Sequence, residues 1–168
     1  MKNISNTIDK EQYIKDMEFG SKNECIVKEQ LEDFLTAPLK KYKDKFATFD
    51  YYNNDLKILC EVKSRRNDNM KYDTQLIGAN KINKANIKHK EGFQIYFFWK
   101  LTNGLFVWKF DPSIELKSVR LGNYARNDKP ADLFLIDNKI LKPVKELTKP
   151  KPYKNINSSQ TGYVVSFD

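Results

Sequence analysis

The sequence predicts an α/β fold, a mixed central sheet flanked by helices. Three observations carry that expectation. Val27, Leu31, Phe34 and Leu35 recur at helical spacing. Phe93-Gln94-Ile95-Tyr96-Phe97-Phe98-Trp99 is too apolar to be wet on one side, so it reads as a central strand covered on both faces. Between them, Phe49–Arg66 reads as two β segments around a polar Tyr52-Asn53-Asn54-Asp55 turn.

The elements follow in order. Residues 1–19 are polar with scattered Ile8, Tyr13, Ile14 and Met17, and predict a short peripheral helix capped by Thr7 or Asp9. Gly20 and Ser21 open a second helix to Leu35, and Pro38 closes that region. A basic connector, Lys40–Lys45, leads to a strand over Phe46–Tyr52 and another over Leu56–Lys63. A helix is expected from Thr74 to Lys88, with Gln75 in its first turn and Lys81, Lys84 and Lys88 in a row. The central strand Phe93–Trp99 turns at Thr102-Asn103-Gly104 and pairs back through Leu105–Phe110. Its aromatics read as core and not as a base-stacking platform. Residues 111–129 read as loop, and Asp132–Ile136 with Lys139–Lys142 as an extra C-terminal hairpin about Asp137-Asn138. Residues 143–162, with three prolines, read as a flexible tail, and Tyr163–Phe167 as a last edge strand. A single domain over 1–168, with its core at about 20–110, accounts for the whole pattern.

Composition narrows the function. At 168 residues with 40% apolar and 13% aromatic content, the chain has enough material for a packed core. A formal net charge of +8 favours a polyanionic partner, most simply nucleic acid, although Lys- and Asn-rich usage also follows from an AT-rich genome. No apolar run is long enough to span a membrane. The two cysteines, Cys25 and Cys60, fall in expected core elements, and no secretory leader is evident, so a reduced, cytoplasmic setting is expected. Those two cysteines and the single His89 make a zinc site an unsuitable reading.

The chemistry-bearing residues sit in the Phe49–Arg66 stretch. Side chains alternate along a strand, so Ile58, Cys60 and Val62 face one way, and Glu61 and Lys63 the other. Any loop with an even number of residues puts Asp50 on the Glu61 face. Two registers remain open. A tight turn at Asn53-Asn54 sets Asp50 opposite Lys57, on the order of 13 Å from Glu61. A later turn near Asp55-Leu56, a bulge or strong twist would bring the two acids together. Carboxylate oxygens suit Mg²⁺ or Mn²⁺. A lysine beside them can orient a water or neutralise phosphoryl-transfer charge. Glu24 sits on the helical stripe one turn before Val27, where it either reaches this cluster or acts as a first-turn acid. Arg65 and Arg66 follow the strand and suit flanking phosphates, or else a solvated loop.

Asp50, a gap, then Glu61-Val62-Lys63 resembles the PD-(D/E)xK nuclease superfamily, which includes restriction endonucleases and Holliday-junction resolvases. Phe49 stands where the motif's proline would be. Gly20-x-x-x-Glu24 is similar to the first-helix acid of many such enzymes, and the element order resembles their αβββαβ core over roughly Gly20–Phe110. The resemblance implies a Mg²⁺-dependent deoxyribonuclease, in which Mn²⁺ can substitute for Mg²⁺. Asp50, Glu61 and the Val62 carbonyl would hold the metal, with Glu24 as a further candidate ligand, and Lys63 would orient water. Gln75, Lys81 and Lys84, with Arg65 and Arg66, would contact DNA. The alternative is a catalytically inactive nucleic-acid-binding module of the same fold. Small size and Lys/Asn usage point to a phage or mobile-element enzyme acting in the host cytoplasm. Relatives of this kind often act as dimers, so a homodimer through the Lys139 hairpin or the terminal strand is a further expectation.

Overall fold

The computed structural model of the chain describes residues 4–122, 129–144, 153–154 and 163–164; within the first helix, the side chains of 4–9, 21 and 23–26 lie outside that description. The chain opens with one helix, α1 (Ile4–Leu35), where two were expected. Gly20 lies inside it, since an interior glycine costs only about 0.5–1 kcal/mol relative to alanine. The helix stops at Thr36, whose φ of 52° places it in the left-handed region. Thr36 N–H donates to the Asp33 carbonyl (3.3 Å) and Ala37 N–H to that of Glu32 (3.1 Å), a Schellman ending with threonine in the place usually held by glycine. Glu32 Oε1 then accepts from Leu39 N at 2.7 Å and fixes the exit past Pro38.

Strands β1 (Lys40–Lys41), β2 (Tyr51–Asn53) and β3 (Ile58–Ser64) follow, then β4 (Thr74–Gly78), α2 (Ala79–Lys90), β5 (Gln94–Leu101) and β6 (Gly104–Lys109). Next come β7 (Lys117–Leu121), β8 (Ala131–Asp137), a 3₁₀ turn (Asn138–Ile140) and β9 (Lys142–Pro143). Six strands form a mixed sheet in the order β1-β2-β3-β5-β6-β9, where β3 and β5 run parallel and the other neighbours antiparallel. The expected mixed sheet with flanking helices is therefore the observed class.

Side-chain alternation splits the core between the two faces of that sheet. Ile58, Cys60, Val62, Phe98 and Val107 pack with Val27 and Leu31 of α1. Leu59, Phe97, Trp99 and Trp108 pack with Ile82 and Ala85 of α2, Ile77 of β4 and Ile136 of β8. The strand expected to be central, now β5, lies between β3 and β6, and Phe97, Phe98 and Trp99 are buried as core.

Several expectations change. The strand before the turn is short, because Phe46–Asp50 is loop and only Tyr51–Asn53 pairs with β3. Thr74–Gly78 is a strand, so Gln75 is not in a helical first turn, and α2 begins at Ala79. The expected loop at 111–129 contains β7. The C-terminal hairpin is not formed. Instead β8 pairs with β4 and β7 in a second, three-stranded sheet, and β9 crosses to the edge of the main sheet beside β6. Asp137 makes this switch by accepting from Lys139 N (2.8 Å), which turns the chain instead of returning it along β8. Pro143 and the buried Val144 belong to the sheet and its core, not to a tail; 145–152 and 155–162 lie outside the described residues. Tyr163–Val164 pairs antiparallel with Tyr153–Lys154, as β11 and β10.

Candidate active site

The β2–β3 turn decides where Asp50 falls. Asn53 pairs with Ile58, so Asn54–Lys57 form the loop and its centre lies between Asp55 and Leu56. Asn53 Oδ1 accepts from Leu56 N (2.9 Å), and Lys57 adopts a left-handed φ of 51° to close the loop. Of the turns open from the sequence, this later one sets Asp50 beside Cys60-Glu61 and not opposite Lys57. Tyr51 pairs with Cys60, and Asp50 N donates to the Cys60 carbonyl at 2.9 Å. Asp50 Oδ2 accepts from Val62 N at 2.7 Å, so this carboxylate stands beside Cys60-Glu61-Val62 and takes the place of a strand partner where β2 has ended. A residue's N–H and C=O point to the same side of a strand, so the Val62 carbonyl faces that same edge. Phe49, in the motif's proline position, is 4% exposed and anchors the approach in the core.

Glu61 is 1% exposed and points to the α2 face of the sheet. Burying a carboxylate requires partners, and it has two. Lys63 Nζ contacts Oε1, and Lys81 Nζ, from α2, lies 2.9 Å from Oε2. Lys81 also donates to the Thr48 carbonyl, two residues before Asp50. Glu61, Lys63 and Lys81 thus form an ion-paired group, and the Lys81 bond to the Thr48 carbonyl ties it to the segment that carries Asp50.

The other candidates distribute around it. Arg65 is exposed; desolvation by its surroundings lowers its pKa and the nearby Glu61 carboxylate raises it, and the guanidinium remains charged. Arg66 donates from Nη1 to Asp16 Oδ1 (3.0 Å) and lies over the Phe19 ring at 4.5 Å, which ties it to α1. Lys63, Arg65 and Arg66 line a cleft of about 660 Å³ against Tyr13, Met17 and Phe19 of α1. Gln75 is buried and donates to Asn138 Oδ1 at 3.2 Å. Lys84 is exposed on α2. Glu24 lies in α1, and its side chain is outside the described residues. In the sequence Lys81 belongs to a lysine row, and the superfamily resemblance, in which the helix after the E-x-K strand often places a polar residue beside the site, makes it and Gln75 the positions to test. What separates Lys81 from the row is that Ala85, fully buried, lies one turn on, so Lys81 starts from the inner side of the helix.

Among the described residues no group of three or more His, Cys, Asp or Glu comes together. Two carboxylates and a strand-edge carbonyl nonetheless suit Mg²⁺ in kind, because that ion is commonly held by one or two carboxylates and keeps waters and substrate oxygens as its other ligands.

No curated protein matches the chain. A family model described as "Phage putative PDDEXK endonuclease" matches residues 15–150, a span that holds α1 from Lys15 on, the Asp50 and Glu61-Val62-Lys63 segments, α2 and the β5–β6 pair. With that match over most of its length, the chain belongs to this phage family and so to the PD-(D/E)xK nuclease superfamily.

Proposed function

We propose that the chain is a Mg²⁺-dependent deoxyribonuclease whose site is Asp50, Glu61 and Lys63. The observation that carries this is the pairing of Asp50 with the Glu61-Val62 segment through the 2.7 Å bond from Val62 N, beside a lysine that contacts Glu61. Asp50, Glu61 and the Val62 carbonyl would hold the metal, with Glu24 as a candidate fourth ligand. When bound, Mg²⁺ supplies Lewis-acid polarisation of the scissile phosphate and neutralises its charge. Lys63 Nζ orients the attacking water and stabilises charge that grows on the phosphate. Water attacks phosphorus in line, and the opposite P–O bond breaks. Arg65 and Arg66 hold flanking phosphates, and the cleft beside them admits the strand. DNA, rather than RNA, is the expected substrate by family resemblance.

The test is direct. Supercoiled plasmid, linear duplex, single-stranded DNA and RNA are incubated with the protein in Mg²⁺, Mn²⁺ or EDTA. DNA should be cut with either metal and stay intact in EDTA. Cutting confined to RNA would overturn the substrate. DNA retained in a gel shift but never cut would make the chain a binding module.

A further inference from the structure

Glu61 carries more positive charge around it than one carboxylate needs, and its two lysines are not equivalent. Lys81 is 16% exposed and spans Glu61 Oε2 and the Thr48 carbonyl, acceptors on two different segments. Lys63 is 27% exposed and lines the cleft with Arg65 and Arg66, while Lys81 lies outside that lining. Among the described residues the acceptor of Lys63 is Glu61.

We infer that the two lysines divide the work: Lys81 is a positioning residue, and Lys63 is the ammonium that reaches substrate. The inference rests on the nuclease reading above. A cation with acceptors on two segments is pinned. It holds the Glu61 carboxylate in one orientation and fixes the segment that delivers Asp50, so it sets the separation of the two acids. Lys63 is then able to exchange Glu61 for a phosphate oxygen. Because Lys81 stays, that exchange never leaves a buried carboxylate without a partner, which is the costly event in such pairs. A single lysine could not both hold Glu61 and leave it.

Steady-state cleavage of labelled DNA by Lys81→Met, Lys81→Arg and, as a control, Asn83→Ala at an exposed position on the same helix tests this. Both Lys81 variants should lose about 10- to 100-fold in kcat, as misplaced site residues do, with KM changed less than about threefold. Asn83→Ala should match the wild type. Should Lys81→Met fail to fold, Lys81→Arg keeps the charge and decides alone. A phosphate-holding residue tolerates arginine, whose fork suits phosphate, whereas a partly buried point charge held between Glu61 and Thr48 does not. Wild-type kcat in Lys81→Arg would overturn the inference. So would a loss that appears in KM with the salt slope reduced by about one. A wild type that cuts nothing with any metal removes the nuclease reading and this inference together. A wild type that cuts, alongside an unaffected Lys81→Arg, removes the inference alone.

Discussion

Cys60 lies between Leu59 and Glu61 on β3 but turns to the α1 face, where it is fully buried. Burial, and secondarily the charge of Asp50, push its thiol well above its ordinary value of 9.0. An acid whose folded pKa lies above its unfolded one holds its proton more tightly when folded. That contribution is full below the unfolded pKa and is lost as pH rises towards the folded value. The urea midpoint should therefore decline above about pH 9, and in Cys60→Ala it should decline less steeply. Tyr42 and Tyr96, whose pKa values burial also raises, keep part of the decline in that variant. Equal slopes in the two proteins would contradict this account of the thiol. At this scale the Glu61-x-Lys63 spacing was legible, because strand period alone puts both on one face. The place of Asp50 was not. It depended on whether the turn closed at Asn53-Asn54 or two residues later, and the Asn53 side-chain bond to Leu56 N and the left-handed Lys57 decided it. The partnership of Lys81 with Glu61 was also hidden, since it joins residues on a strand and a helix that only the packed core brings together.

Among the elements, β5 carries the molecule. It runs parallel to β3 on one side and antiparallel to β6 on the other, and its residues enter both halves of the core. Lys63 pairs with Trp99 and Glu61 with Phe97 in register, so β5 is the rail on which the acidic strand is seated. Trp99 is 0% exposed. Trp99→Ala should lower unfolding free energy by about 3–5 kcal/mol, read from urea melts. A cost under about 1 kcal/mol would mean that the cavity collapses and that β5 is not the anchor. This strand was plain in the sequence because a run apolar on both faces fits few other places. The start of α2 was not. Thr74 and Ile77 are β-branched and Gly78 is a poor helix former, but the strand they form depends on β8, whose Asp137 and Leu133 pair with Thr74 and Gly78. No local pattern reveals a partner so distant in sequence.

Across the molecule, α1 covers one face of the main sheet, and α2 with the second sheet covers the other. The acidic pair lies where β2 ends along β3, so the sheet leaves a gap at its edge that Asp50 fills with a side chain. The chain's net charge of +8 and a cleft lined by Lys63, Arg65 and Arg66 suit a polyanion. The class of fold was legible from periodicity, and the motif strand from its alternation. The crossing of β9 to the main sheet was not, because the 3₁₀ turn at Asn138–Ile140 redirects a segment that by alternation alone resembles the second arm of a hairpin. The central claim is that Asp50, Glu61 and Lys63 form one hydrolytic site. The measurement that tests it most directly is Mg²⁺-dependent cleavage by Glu61→Gln beside wild type, with DNA affinity measured by gel shift in EDTA and folding checked by circular dichroism. The account predicts a folded variant that binds DNA within about threefold of wild type and cleaves at least about 10²- to 10³-fold more slowly. A folded Glu61→Gln that cuts at the wild-type rate would place the chemistry elsewhere in the chain.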